Sequence, residues 1–501
     1  MGKFILVGLL AFAVALSGTA YAEVQNVKVG GDIDMKVISH NNYDLKNKQL
    51  NVNNPPGGNL GTGTSTPTNS DSANFFLSTV RVTVDADLTD NVATHVRLLN
   101  QRIWNADTSA TGNIDIDNAY VVLKEFLYSP LTLIVGRQDL KYGTGFIVGP
   151  GILADPQGAF ASAPFTTGSQ NQLGREYSAF NSYDAVRAIL DFSPVTLEAV
   201  YAKIQETGVA RDDEDLIGAI VNYKLNRWNA EIEPYWFYKN NESVAAGTAA
   251  LSTGAGIAGE GTFRDDIGIA AFNVNRVHTF GSRATGSPIE NLWVNLEGAY
   301  QVGELEYKAL QLQRIRHAWA GQADVRYTWA QVPWTPNTGA GWVYFAGHHT
   351  IDPNALQANQ QQLTRYQGWD PMFRGQFYTY IQDFLGGYGA NNLYTTFDAN
   401  DTAANTNRQL GYVDLTLKPL RDLTLWGRYT HVWFARRPVL GRSGEAGQEI
   451  DMKASYAYTE DVSLEVGGGG FFPGRYYSKA NSNARGADVA WTLVGSAKVK
   501  F

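Results

Sequence analysis

LQRIRHAWAGQADVRYTW, Leu312 to Trp329, alternates between two chemistries. Every second residue from Ile315 gives Ile315, His317, Trp319, Gly321, Ala323, Val325, Tyr327 and Trp329, a mostly apolar face. The interleaved set is Arg314, Arg316, Ala318, Ala320, Gln322, Asp324, Arg326 and Thr328, mostly polar or charged. A period of two marks a β-strand with one apolar face. Globular strands run about five or six residues, and this one continues far beyond that. A long strand with arginines on one side suits a wall between lipid and water. Trp319 and Trp329 are ten positions apart, which at about 3.3 Å per residue and a tilt near 40° covers roughly 25 Å, the height of an apolar membrane band. This spacing predicts the two tryptophans at opposite aromatic girdles and Arg326 in the lumen near the periplasmic end. Arg314 and Arg316 are then expected above the membrane, at the outer mouth.

The ends and the composition agree with export to a membrane. The chain opens MGKFILVGLLAFAVALSGTAYA, with Lys3 as a positive n-region, an apolar run from Phe4 to Ser17, and Ala20-Tyr21-Ala22 as a small-x-small cleavage pattern. We expect a signal peptide over 1–22, cut before Glu23, and one barrel domain over 23–501. Beyond it no apolar run approaches the about twenty residues of a transmembrane helix. With no Cys, neither a disulfide framework nor a lipid-modified cysteine is available. Gly 51, Tyr 26, Phe 23 and Trp 12, against Pro 17 and Met 4, fit many close-packed strands with aromatic rims. The net charge of -8 is mild for the length and argues against a nucleic-acid partner.

Alternating segments recur from Val24 onward, separated in turn by tight turns and longer loops. Tight turns fall at Leu88 to Val92, Tyr128 to Pro130, Phe192 to Pro194, Leu225 to Arg227, Lys418 to Arg421 and Tyr458 to Asp461, with longer ones near Gly281 to Asn291 and Ala330 to Thr338. The largest connections are near 41–72, 138–181, 240–262 and 350–407. Short periplasmic turns and long outer loops are the pattern of an all-β, up-and-down antiparallel transmembrane barrel, here of about eighteen strands. Lipid offers no partner to an unpaired backbone group, so a strand-built membrane protein must close on itself. The segment Phe377 to Tyr394 is ambiguous between strand and loop. In the last segment Val489, Trp491, Leu493, Gly495, Ala497, Val499 and Phe501 share one face. A terminal aromatic strand of this kind resembles the signal read by the barrel-assembly machinery, and the expected location is the bacterial outer membrane.

Parity assigns the lumen. Phe76, Val80, Val82 and Val84 face lipid, so Arg81 and Asp85 face the pore. The same test places Arg97, Arg187 and Arg326 inside, and Arg428 on a face shared with Asp422, Thr424 and Thr430 but also with Trp426 and Val432. Asp324, Glu231, Glu233, Glu449 and Asp451 fall on polar faces. Guanidinium stays charged and offers a planar fork to a carboxylate. A ladder of such forks lowers the barrier for an anion while neighbouring acids keep each site weak enough to leave. The alternative is that arginines and acids pair only to brace the wall.

Val135 to Gly143, VGRQDLKYG, resembles the GRQ-x-L-x-YG stretch of the alginate-export family of outer-membrane porins. Tyr183 to Arg187 resembles the strand that follows it, Trp369 to Phe373 is similar to the family's FDP-L-F stretch, and Gly447 to Tyr456 with Gly470-Phe471-Phe472 is similar to its last hairpin. The resemblance implies an eighteen-stranded barrel passing an anionic polysaccharide through an arginine-rich pore. Where the family often has an arginine shortly after Tyr142-Gly143, this chain has Phe146.

No motif argues for an enzyme. His348-His349 is an adjacent pair at a strand end, expected at a solvent rim rather than on a metal. No cofactor is expected, the one candidate ion being Ca²⁺ at an acidic outer-loop run, Arg211 to Asp215, which lacks an EF-hand pattern. The apolar Phe146-Ile147-Val148 and Gly149 to Leu153 predict that the loop at 138–181 folds into the lumen. Residues and resemblance together predict an outer-membrane channel for an anionic solute, an acidic polysaccharide or sugar acid, with that solute and outer-membrane lipid as partners. A general diffusion porin and a surface-structural or adhesion barrel are the alternatives.

Overall fold

Long runs with one apolar and one polar face can satisfy their backbone only by pairing edge to edge, and in lipid that pairing must leave no edge. The computed structural model describes residues 26–43, 45, 72–104, 114–150, 177, 182–205, 214–242, 274–307, 312–348, 365–384, 406–437, 443–480 and 488–501. The expected signal peptide lies outside them, as does most of the outer loop near 41–72.

The strands are β1 (Asn26–Asn41), β2 (Ser72–Thr89), β3 (Val92–Ile103), β4 (Asp115–Leu123), β5 (Leu131–Gln138) and β6 (Tyr183–Asp191). They continue with β7 (Val195–Gln205), β8 (Glu214–Leu225), β9 (Ala230–Asn241), β10 (Val274–Ile289), β11 (Leu292–Tyr307), β12 (Leu312–Thr328) and β13 (Asn337–Phe345). After the two-residue β14 (Arg365–Tyr366) come β15 (Arg408–Leu420), β16 (Leu423–Phe434), β17 (Glu445–Ala457), β18 (Val462–Pro473) and β19 (Ala490–Lys500). One short helix, α1 (Arg475–Ala480), follows β18. Consecutive wall strands pair antiparallel, and β1 pairs with both β2 and β19, so the sheet closes. The two-residue β14 instead runs parallel to β12 inside a loop. Among the described residues there are nineteen strands, and this leaves eighteen in the closed wall, the even number expected.

The opening stretch is β12, and its alternation is the burial pattern. Trp319 is 48% exposed on the lipid face, whereas Arg314 and Arg316 are each 0% exposed. One expected turn is corrected. The chain does not turn from Gly281, because β10 runs through to Ile289 and reverses over Glu290 and Asn291. Gly281 is in mid-strand, where a Cβ would lie 2.5 Å from the Tyr235 ring, so this glycine marks a close approach rather than a turn. The ambiguous segment is not a wall strand either: Phe377 to Phe384 is loop, and 385–405 lie outside the described residues.

At the seam, Gly31 N donates to Phe501 O at 2.8 Å and Phe501 N to Gly31 O at 3.1 Å. A Cβ on Gly31 would stand 2.3 Å from Arg81 O and 2.8 Å from the Phe501 ring. Gly31→Val should therefore obstruct closure, and the expected result is loss of the fast-migrating folded band in unheated gel electrophoresis. An unchanged band would show that the seam tolerates a side chain there.

Candidate transport path through the lumen

Apolar loop residues beside a water-filled channel lower their free energy by packing inward. Two connections do so at length, residues 139–150 after β5 and 365–384 between β13 and β15, and Tyr43 and Leu45 after β1 and Tyr476 and Tyr477 of α1 join the same cluster. The two long connections cross each other through backbone bonds, Phe373 N to Ile147 O at 3.1 Å, Gly149 N to Phe373 O at 2.8 Å and Gly375 N to Gly145 O at 2.9 Å. The crossing is tight enough that a Cβ on Gly149 would come within 3.0 Å of the Gly375 backbone. Phe146 stacks on Phe345 at 5.2 Å, and Val148, Trp369, Met372 and Phe373 are buried with it. Around this plug the inner wall is itself apolar, with Val200, Leu216, Phe237, Val277 and Val343 in one cluster.

The plug is anchored at two ends. Asp370 accepts from Lys239 Nζ and Asn275 Nδ2, each at 2.7 Å, and from Met372 N at 2.8 Å. Its backbone exchanges two bonds with Gln301, at 2.8 and 2.9 Å. Burial pushes the Asp370 carboxyl up, but the Lys239 ammonium and the Arg316 guanidinium, 3.6 Å away, outweigh it and hold the group at about 2. At the other end Glu449 accepts from Ile381 N at 2.7 Å and Gln382 N at 2.8 Å. There Asp383 receives Arg408 at 2.6 Å and Arg374 at 3.3 Å. Burial raises the Asp383 carboxyl and these two cations more than offset it, leaving it below the usual range. Burial also lowers Arg374 to about 10.

Arg314 and Arg316 differ from the expectation of a solvent-lined mouth. Both are fully buried. Arg316 donates to Gly368 O at 2.7 Å and Asn275 Oδ1 at 3.2 Å, and Arg314 contacts His348 Nε2 at 2.8 Å and Arg365 O at 3.4 Å. The Tyr366 ring lies 5.0 and 4.9 Å from the two guanidiniums. The inward segment covers the wall at their height, so they grip it instead of facing water. His348 is likewise drawn in, accepting from Gln367 N at 3.1 Å.

The other arginines face the lumen, each with an acid. Arg81 is 3.4 Å from Asp32, which also receives Lys498 at 3.3 Å. Arg97 bridges Asp117 at 2.5 Å and both oxygens of Asp139 at 2.9 and 3.0 Å. Arg187 binds Glu198 at 2.6 and 3.0 Å, and the plug's Tyr142 hydroxyl donates to the same carboxylate at 2.6 Å. Arg326 forks between Asp324, at 2.8 and 3.2 Å, and Asp414, at 2.9 and 3.1 Å. Arg428 shares Asp414 at 2.7 Å and donates to Tyr378 O at 3.1 Å. Among the acids, Asp85 contacts His95 at 2.6 Å, Asp324 accepts from the Tyr412 hydroxyl, Glu233 pairs with Arg283, and Glu231 faces Lys224 across the β8–β9 register. At the acidic outer run, residues 211–213 lie outside the described residues, and Asp215 receives Lys203 at 3.2 Å.

Sequence reasoning missed Asp370, Asp383 and Lys239, which hold the plug, and Asp414, which joins two arginines. Asp414 was legible: Val413 and Leu415 are exposed to lipid, so parity sends Asp414 inward. Lys239 was not, since β9 is aromatic on both faces there. Beneath the plug, toward the periplasmic turns, lies a cavity of about 620 Å³ lined by plug residues such as Tyr378 and Tyr380 and by wall residues including Trp426, Arg428, Asp451 and Lys453.

No curated protein matches the chain by sequence. Among solved structures, OccK11 (OpdR) of Pseudomonas aeruginosa superposes with a TM-score of 0.50 at 11% identity, covering 95% of this chain and 97% of that one. OccK9 (OpdG) of the same organism gives 0.50 at 11%, covering 95% and 99%. At such identity these carry the barrel fold alone. The family model for alginate export matches residues 62–490, which hold β2 to β18 of the closed wall and its lumen-facing arginines. The chain belongs to the alginate-export family, and it is an outer-membrane β-barrel channel.

Proposed function

We propose that the channel passes an anionic solute, a sugar acid or acidic oligosaccharide, along its arginine forks. The observation that carries this is the ladder Arg81, Arg97, Arg187, Arg326 and Arg428, whose side chains keep between 12% and 27% of their surface open. Each fork is oriented by its acid and still offers an edge to a passing carboxylate. The acids also keep binding weak, which lets the solute leave. Two loops knitted across the lumen narrow the path and bring solute close to the forks, which supports a selective channel over an unspecific one.

In planar bilayers under a salt gradient the purified protein should favour anions. Single replacements by Glu at Arg81, Arg97 or Arg187 should shift the reversal potential toward cations, and oligouronates should block the current. Cation preference in the unmodified channel would overturn the reading.

A further inference from the structure

Asp451 and Lys453 are two positions apart on β17, so both side chains point to the lumen, about 6.6 Å apart along the strand. Both line the cavity beneath the plug. Asp451 is 0% exposed, and neither carboxylate oxygen makes a hydrogen bond of good geometry; its polar neighbours are the Glu449 carboxyl on the same strand face, Tyr380 N and, across the register, Arg428. Among the described residues no cation stands at salt-bridge distance from it. The nearby cations differ in how far they are engaged. Arg428 is committed to Asp414 and to Tyr378 O. Lys453 has only Glu465, at 3.4 Å, and is 36% exposed, so most of its donor capacity is free. Two carboxyls, Glu449 and Asp451, buried side by side without a cation in contact are costly, and such a pair points to a cationic group that completes it.

Much of the remaining lining is ring surface, from Phe377, Tyr380, Phe384 and Trp426, with the hydroxyls of Thr379, Thr416, Thr424 and Ser455 between. Apolar walls with a few convergent polar groups are the general form of a small-molecule site. A simple anion would meet Asp451, and a simple amine would meet Lys453 and Arg428. A molecule carrying both charges close together meets neither repulsion. We propose that this cavity binds a zwitterionic α-amino acid with an apolar or aromatic side chain. Its ammonium completes Asp451, its carboxylate takes the free donors of Lys453, and its side chain lies among the rings. The site adjoins the arginine ladder at Arg428, which lines the cavity, and does not rest on the anion reading.

Three ligands of one shape separate the contributions: phenylalanine, phenethylamine, which lacks the carboxylate, and hydrocinnamate, which lacks the ammonium. In calorimetric titration of the full-length protein in detergent, phenylalanine should bind at least about tenfold more tightly than either, the equivalent of one modest charge contact. Asp451→Asn should bring phenylalanine down to the level of hydrocinnamate in the same variant, and hydrocinnamate itself should tighten as the repulsion is removed. Lys453→Gln should reduce it to the level of phenethylamine. Should Asp451→Asn fail to fold, the ligand ranking on the unmodified protein and the Lys453 variant decide. Phenylalanine binding no better than hydrocinnamate, or no binding of any of the three, overturns the proposal and leaves the anion reading standing. Cation preference in bilayers with the ranking intact does the reverse.

Discussion

Asp370→Asn should open the channel. Single-channel conductance is expected to rise severalfold, with flickering between a low and a high level replacing a steady low one. The side chain is fully buried between Lys239 and Arg316, and it also receives Asn275 Nδ2 and Met372 N. Asn keeps the shape but leaves two buried cations without their acid, and breaking a buried pair in this way costs about 3–5 kcal/mol. That cost falls on the packed state of the plug rather than on the wall, whose ladder does not depend on Asp370. At about 1.4 kcal/mol per factor of ten, the ratio of released to packed plug should grow by roughly two to four orders of magnitude. Limited proteolysis of the 365–384 segment reports release independently of current. Unchanged conductance and proteolysis would show that the aromatic packing around Phe146 and Phe373 holds the plug without the anchor.

The same carboxylate gives the unmodified channel an acid response. Its value is lowered from an ordinary 3.8 to about 2, so the packed state binds the proton more weakly than the released state does. A group depressed in this way contributes stability above pH 4 and loses it as pH falls toward 2. The lowering corresponds to roughly 2–3 kcal/mol at neutral pH. Conductance should therefore stay low at pH 5 and rise between about pH 4 and 2.

How much of this was legible in the sequence depended on what each face meets. The wall was, because lipid imposes one rule on every outward residue: Ile315, Trp319, Val325 and Tyr327 are all apolar or aromatic and all exposed. The lumen imposes two. Where it holds water the inward residues are charged, as at Asp324 and Arg326. Where it holds the plug they are apolar, as at Ala318, Ala320 and Val432, each 1% exposed or less. This is why Trp426 and Val432 blurred the reading of Arg428. Both face inward with it, Trp426 toward the cavity and Val432 toward the packed interior. Phe146 follows the same logic: the position that departs from the family's arginine is a core residue of the plug. Residue spacing alone could not place Arg314 and Arg316, since their partners, Tyr366, Gly368 and Asp370, arrive from a loop some fifty positions away.

The second large effect is expected at Asp414, and it separates bracing from transport. This carboxylate is completely buried and shared by two guanidiniums, Arg326 from β12 and Arg428 from β16. Arg326 reaches it across β13 only because Gly339 leaves the space: a Cβ there would stand 2.5 Å from Asp414 Oδ1 and 3.1 Å from Arg326 Nη1. In Asp414→Asn, Arg326 keeps Asp324, while Arg428 loses its acid beside the cavity, and the lumen gains one positive charge. If the pairs only brace the wall, the variant should lose stability and show unaltered selectivity. If they are stepping sites, the reversal potential should move further toward anions and oligouronate block should lengthen. Removing one acid at contact distance from a fork that keeps a small open edge is worth at least about 1.4 kcal/mol, so dwell times should grow about tenfold or more. Flux of the solute should then fall even though its affinity rises, because a site that holds an anion too well no longer passes it on. Lengthened block with reduced flux, measured on one preparation, is the result that assigns Arg428 to the path, and stability loss alone assigns it to the wall.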